Sequence, residues 1–269
     1  TWEYCYDTNR PQPVDTPYTV DRMKEVLSNF FVESYVDNTP THYYSGVELK
    51  TATCDHVDVA EIGFVGRTLL NAFNALEYGT QQNRRELMNS ANSVFDTYLQ
   101  NGFSPAGFFN EVGHYNRGFK ESKHSIRRQS EGVYAVLNYL SYEKQQKRKH
   151  PEWEKRIKGI LDSFLRLQNE DGSFPRKFKD DFSIVDGTGG STPSATLPLV
   201  MAYKYFKDKR YLESAKRMVG YLEKELISKA DFFSSTLDAN CEDKEASLYA
   251  ATATYYLALV TKGAERTHY

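Results

Sequence analysis

The stretch that decides the fold is Ala246-Ser-Leu-Tyr-Ala-Ala-Thr-Ala-Thr-Tyr-Tyr-Leu-Ala-Leu, residues 246–259. It is apolar or small on every side of a helix, so a helix made from it is buried on most faces. Ala195-Thr-Leu-Pro-Leu-Val-Met-Ala-Tyr reads the same way, as does much of segment 57–78. Segments 82–100, 151–168 and 209–227 differ: each carries Arg, Lys and Glu along one face, the mark of a helix with one wet side. Apolar and amphipathic helices therefore alternate along the chain.

Helical spacing gives eight segments, at 19–37, 57–78, 82–100, 125–143, 151–168, 194–207, 209–227 and 243–262. The links near Gly79, Lys147 and Asp208 are short, whereas those over 38–56, 101–124, 169–193 and 228–242 are long. Loops beyond about a dozen residues usually have a job. An inner ring of buried helices wrapped by an outer amphipathic ring is an all-α fold, an α/α toroid of repeated helical hairpins. Residues 1–18, with Pro11, Pro13 and Pro17 and no periodicity, read as an extended lead-in; 19–269 is the toroid domain. Thr19 is the expected N-cap of the first helix.

Two outer helices end in related words, Tyr98-Leu-Gln-Asn-Gly-Phe-Ser-Pro and Leu167-Gln-Asn-Glu-Asp-Gly-Ser-Phe-Pro. Glycine suits a left-handed C-terminal cap and proline stops the helix, so Gln100, Asn101, Gln168 and Asn169 are expected to belong to a repeated cap. With these words and the hairpin alternation, the chain resembles the six-hairpin glycosidase type of (α/α)6 toroid across residues 19–263. That group covers glycoside hydrolases, some polysaccharide lyases and sugar epimerases. The chain departs from it in showing about four hairpins where the architecture has six, which points to part of a longer chain or to an incomplete ring that assembles as an oligomer. Thr1 in place of an initiator Met agrees with a mature form or a piece of a longer protein.

The resemblance places a funnel at the N-terminal ends of the inner helices, and the long loops run into those same ends. Converging helix N-termini carry partial positive charge and favour carboxylates and anionic sugars. The four inner starts hold Asp55, His56, Asp58 and Glu61; Arg127, Arg128, Gln129 and Glu131; Ser191 and Thr192; and Glu242, Asp243 and Glu245. Each acid has an ordinary explanation as a cap or dipole partner, and Asp58 with Glu61 has the spacing of a capping box. Glycoside hydrolysis needs two carboxyl groups about the scissile bond. Glu131 and Asp243 are the leading pair, because Glu131 precedes Gly132 and Asp243 lies in the densest acidic cluster. Asp58 is the reserve.

The loop Gly107-Phe-Phe-Asn-Glu-Val-Gly-His-Tyr-Asn-Arg-Gly-Phe and the earlier His42-Tyr-Tyr supply a candidate sugar platform. Phe108, Phe109 and Tyr115 would stack, Arg117 would meet a carboxylate and Asp186 would accept from a hydroxyl; Tyr44, His42, His114, Arg128 and Glu242 are further candidate binding residues. The plain alternative is a loop packed by its own aromatics. A His/Tyr/Arg set of this kind also suits β-elimination from uronates, so a polysaccharide lyase is the second reading and a non-catalytic glycan-binding toroid the third.

A net charge of -2 points neither to nucleic acid nor to an anionic membrane surface. No apolar stretch approaches the ~20 residues of a membrane span. Cys5, Cys54 and Cys241 are too few and too scattered for a disulfide framework or a zinc site, and no HExxH or CxxC occurs. Asp186-Gly-Thr-Gly-Gly-Ser-Thr-Pro lacks the lysine of a phosphate cradle. No metal and no cofactor is implied. The expectation is a glycoside hydrolase acting on an oligosaccharide or polysaccharide that contains uronate, in the periplasm or secreted.

Overall fold

The computed structural model describes residues 2–10, 17–37, 40–44, 47–48, 55–56, 59–63, 67–114, 118–119, 123–231 and 243–269. Its helices are α1 (Trp2–Asn9), α2 (Val20–Glu33), α3 (Thr68–Gln82), α4 (Arg85–Asn101), α5 (Ile126–Gln145), α6 (Pro151–Leu167), α7 (Pro193–Phe206), α8 (Lys209–Leu222), α9 (Lys244–Val260) and α10 (Ala264–His268). A π-helical turn, Glu223–Ile227, extends α8.

The alternation in the sequence becomes two layers. Helices α3, α5, α7 and α9 pack in succession as the inner layer, and α2, α4, α6 and α8 lie outside them. Three links, 83–84, 146–150 and 207–208, are short and join an inner helix to the outer helix behind it. The returns from outer to inner, 34–67, 102–125, 168–192 and 228–243, are long, so they gather at the N-terminal ends of the inner helices. The chain is thus an α/α toroid arc. Its core runs between the layers: Phe95 of α4 stacks on Tyr139 of α5 with centroids 4.0 Å apart, and Trp153 of α6 meets Phe95 edge-on at 5.9 Å. Aromatic contacts of this kind add to the area they bury.

Several expectations need correction at the ends of elements. Residues 2–9 are helical rather than extended, because the proline run begins only at Pro11. The helix expected from 57 starts at Thr68, and Val59–Glu61 is instead a strand paired antiparallel with Val112–His114. The alternating valines of Val57-Asp-Val59 carry a period of two that fits a pleated strand. Glu61 consequently leaves the helix start, and Asp58, its expected capping-box partner, lies outside the described residues. Thr19 does cap α2, its hydroxyl accepting from the Arg22 N–H at 3.2 Å. Thr192 stands at the N-cap of α7, but its hydroxyl accepts from the Phe174 N–H at 2.9 Å.

Of the two related words, only Gly172 takes a positive φ, +95°; Gly102 has φ −87° and lies against Tyr98. Gln168 links α6 to α8, its amide donating to the Ser214 carbonyl at 3.0 Å and its oxygen accepting from the Ser214 hydroxyl at 2.8 Å.

Candidate functional site

Where the four inner helices begin, a cleft of about 270 Å³ opens on the ring axis. Every inner helix contributes to it: Arg67 and Leu70 at the start of α3, Ser130, Glu131 and Tyr134 on α5, Leu197 and Pro198 on α7, and Leu248, Tyr249 and Thr252 on α9. The volume falls just below the ~300–1,000 Å³ of drug-sized pockets, the scale of a single sugar ring. One end is charged and the rest is apolar.

The charged end is built from two i,i+4 pairs on neighbouring chain starts. Arg127 and Glu131 follow each other on α5, with Arg127 Nε donating to Glu131 Oε1 at 3.3 Å. Glu245 and Tyr249 have the same spacing on α9. The pairs cross: Arg127 Nη2 donates to Glu245, and the Tyr249 hydroxyl donates to Glu131 Oε1. Residues four apart share a helix face, so each helix presents both members together. Arg67 completes the group from α3, its Nη2 lying 3.4 Å from Glu131 Oε1 and 3.3 Å from the Tyr249 hydroxyl. Arg67 stands at the N-cap of α3 with φ +40°, a left-handed conformation that costs a non-glycine residue roughly 1–2 kcal/mol. Residues held in such conformations cluster at binding sites.

Burial and charge shape the titration of this group. Burial works to lower the pKa of Arg127, but the charges of Glu131, Tyr249 and Glu245 outweigh it and the guanidinium is held protonated more firmly than usual. The Tyr249 phenol is pushed well above its ordinary value, first by burial and then by the negative charge of Glu131. Glu131 is only 9% exposed, and its other oxygen, Oε2, lies over Gly63 so closely that any Cβ there would overlap it. A side chain at position 63 would therefore displace the Glu131 carboxylate.

The structure brings Glu131 and Asp243 to the same guanidinium but not to the same cleft. Asp243 Oδ2 lies 3.9 Å from Arg127 Nη1, while Asp243 Oδ1 accepts the Glu245 N–H at 2.8 Å and caps α9. Arg127 stands between the two carboxylates. Gly132, expected to admit close approach of substrate, is packed by Ile62 and by the ring of Phe109.

Of the other expected binding residues, Phe109, His42, Tyr44, Arg128 and Asp186 do not line the cleft. Phe109 is fully buried, stacked on Phe103 at 4.9 Å, so it has no face for a sugar. His42 is also fully buried, its Nδ1 against the Pro40 carbonyl at 2.5 Å, with Tyr44 edge-on beside it at 6.3 Å. Arg128 pairs with Glu61 at 3.4 Å. Asp186 is bound by Arg176 at 2.6 Å and by Thr188, and although burial opposes it, these partners hold its carboxyl below the usual range. It fastens its own loop. His114 is placed by its backbone in the strand Val112–His114. Asp58, Tyr115, Arg117 and Glu242 lie outside the described residues. Among the described residues no group of three or more His, Cys, Asp or Glu is arranged to hold a metal ion.

Sequence reading passed over Arg67, Tyr134 and Tyr249. For Tyr249 a signal existed: it stands four residues after Glu245, as Glu131 does after Arg127. Arg67 gave none, because its helix begins later than its sequence pattern. Gln129, named at its helix start without a role, also has one. Fully buried, it clasps the Phe109 backbone, accepting from its N–H at 2.9 Å and donating to its carbonyl at 2.7 Å, and so fixes the long loop onto α5.

No protein-family model matches the sequence, and neither does any curated protein. Solved structures do resemble it. A cellobiose 2-epimerase from Spirochaeta thermophila is 10% identical, with a TM-score of 0.64 over 95% of this chain and 69% of its own. A possible member of the GH105 family from Salmonella enterica is 13% identical, with a TM-score of 0.68 over 100% of this chain and 70% of its own. An unsaturated glucuronyl hydrolase from Bacillus sp. GL1, responsible for the degradation of glycosaminoglycan, is 16% identical, with a TM-score of 0.55 over 74% of this chain and 56% of its own. These are α/α toroids of six hairpins. At such identities the likeness is one of fold, and this chain shares the α/α toroid fold of these structures.

Proposed function

We propose that the chain acts as a glycoside hydrolase on an oligosaccharide that carries an acidic sugar. The observation that supports this most is the position of Glu131, on the floor of a sugar-sized cleft at the converging N-termini of the inner helices, with Arg67 beside it. A carboxylate there serves as the base or nucleophile of glycoside cleavage. Arg67 and the helix N-termini favour an anionic group on the sugar. Tyr134 and Tyr249 offer ring faces to the pyranose. The neighbours named for glucuronyl hydrolysis and for GH105 support the same class.

One observation favours a second reading, epimerisation. Of the expected carboxyl pair only Glu131 lines the cleft, and proton transfer at a single sugar carbon needs one base and one acid rather than two carboxyls about a glycosidic bond. Cellobiose 2-epimerase is among the structural neighbours.

Incubation with a panel of neutral and uronate-containing oligosaccharides tests both. New reducing ends that vanish in Glu131→Gln support the hydrolase. A change of sugar configuration without cleavage, with solvent deuterium entering one carbon, replaces it with the epimerase. Ultraviolet absorbance of an unsaturated uronate appearing with cleavage replaces it with the lyase.

A further inference from the structure

At the opposite end of the inner helices from the cleft, a second cavity of about 640 Å³ lies between the last turns of α5 and α7 and reaches Tyr256 on α9. Tyr134 and Leu197 line both cavities and form the divide between them. Glu131 and Lys144, one at each end, are separated along α5 by about 20 Å at 1.5 Å per residue. The second cavity is therefore a place of its own, out of reach of the carboxylate in the cleft.

This cavity is basic. Lys144 lines it from α5, and Lys204 and Lys207 from α7. Lys144 Nζ sits 4.7 Å from the ring centroid of Tyr205, which also lines it. Among the described residues, the carboxylates nearby are engaged by other groups: Glu143 by Arg148 and His150, Asp208 by Arg210, and Glu154 by the Tyr205 hydroxyl at 2.6 Å. A lysine in the last turn of a helix is ordinary, because it complements the helix dipole. Three lysines around one cavity with no carboxylate between them repel one another, and an anionic ligand relieves that repulsion. The chain also puts charge where a neutral residue is usual. The left-handed residue that ends α3 is Asn83, at φ +55°, a type that favours this conformation, whereas the one that ends α7 is Lys207, at φ +62°.

The surroundings select among anions. Because α5 and α7 end here, their backbones present carbonyl oxygens and the negative ends of their dipoles. These oppose a compact dianion such as phosphate, which suits helix N-termini instead, but they accept from hydroxyls. Asn138 and Gln145 add amides that both donate and accept, and Tyr205 and Tyr256 add ring faces. Lysine ammonium groups act as point charges that meet a single carboxylate without the paired geometry of arginine. The matching ligand is rich in hydroxyls and carries its negative charges spread out. The cavity exceeds twice the volume of the cleft, room for about two sugar rings on the same scale.

We propose that this cavity is a second carbohydrate site, which holds a stretch of acidic oligosaccharide through Lys144, Lys204 and Lys207. The site acts by binding alone and does not depend on cleavage at Glu131.

The test follows the acetylation of individual lysines of the 269-residue chain by mass spectrometry, with and without excess tetragalacturonate or a hyaluronan tetrasaccharide. Lys144, Lys204 and Lys207 are expected to react at least fivefold more slowly with either sugar present, while Lys155, exposed on the outer helix α6, is unchanged. The methyl esters of the two sugars keep the hydroxyls and lose the charge, and should slow the three lysines less than twofold. Lys204→Gln is expected to reduce the protection of Lys144 and Lys207 at least threefold. In Glu131→Gln the protection should persist, so a failure of the hydrolase reading leaves this result standing. Absence of protection by both sugars would overturn the proposal. So would slowing of Lys155 to the same degree, or equal protection by the methyl esters or by inorganic phosphate.

Discussion

Glu131 and Tyr249 stand at the same step of two inner helices, each the sixth residue of its helix, and the tyrosine hydroxyl donates to the carboxylate between them. A hydrogen bond to a charged group contributes about 1.5–3 kcal/mol. Tyr249→Phe is expected to lower stability by about that much, and Glu131→Gln by at least as much, since an amide oxygen still accepts the phenol but no longer pairs with Arg127 and Arg67. The pair should not be additive: a double-mutant cycle in urea is expected to return a coupling of roughly 0.5–3 kcal/mol. Additive single effects would mean that the contact carries no energy.

Arg127, itself fully buried, is shared by Glu131, Asp243 and Glu245. Its removal leaves three carboxylates facing one another at the junction of α5 and α9. Breaking a buried ion pair from one side costs about 3–5 kcal/mol, so Arg127→Met is expected to lose that much by chemical denaturation. Glu245→Gln should cost under about 1 kcal/mol, because the Glu245 side chain is 44% exposed and screened. Equal losses for the two variants would argue that the cluster is solvated.

Glycines divide into those the structure needs and those it does not. A Cβ on Gly63 would overlap Glu131 Oε2 and lie 3.0 Å from the Arg128 Cα. Overpacking of this kind costs about 1–3 kcal/mol, and Gly63→Ala should also impair whatever reaction Glu131 serves. Gly159 lies within α6 with open space where its Cβ would be. Gly159→Ala is expected to raise stability by about 0.5–1 kcal/mol, because alanine loses less backbone freedom in a helix. Thermal unfolding of the two variants side by side checks both signs.

The fold was legible because its signal is repeated. Apolar helices such as 246–259 and amphipathic ones such as 209–227 alternate four times, so an error at one boundary leaves the layers intact. The mistakes fell where periodicity is weakest, at Val59–Glu61, where a strand borrows residues that also fit a helix, and at residues 2–9, where proline content just downstream masked a helical turn. The position of the cleft was legible for the same reason, since loop length alone says which ends of the inner helices work. Its individual residues were less so. Glu131 was singled out as an acid at an inner helix start followed by Gly132, and it does line the cleft. Phe109 and His42 misled, since an aromatic in a long loop reads the same whether it faces a sugar or the core. Arg67 and Tyr249 depend on how two helix starts meet, which no local pattern encodes.

His124 gives a prediction in pH. Its ring is buried against Phe108 and Phe178, Nε2 lies 2.8 Å from Asp180 Oδ1, and Gln129 Nε2 is 3.5 Å from Nδ1. Burial lowers its pKa below the ordinary 6.5, although Asp180 works in the opposite direction. The unfolded chain then binds a proton at a higher pH than the folded one does. Between the two pKa values the unfolded state holds more protons, so stability rises with pH there. The contribution of His124 is complete above about pH 6.5 and is lost as the pH falls through the lower, folded value. The wild-type protein should therefore lose stability between pH 7.5 and 5.5, with a slope from this residue no steeper than about 1.4 kcal/mol per pH unit. His124→Asn cannot take up that proton and retains a side-chain amide to donate to Asp180, which Ser104 also holds at 2.6 Å. The variant should show a flatter dependence over the same interval. Urea midpoints measured for both proteins at each pH decide the matter, and parallel curves would mean that His124 protonates alike in the folded and unfolded states.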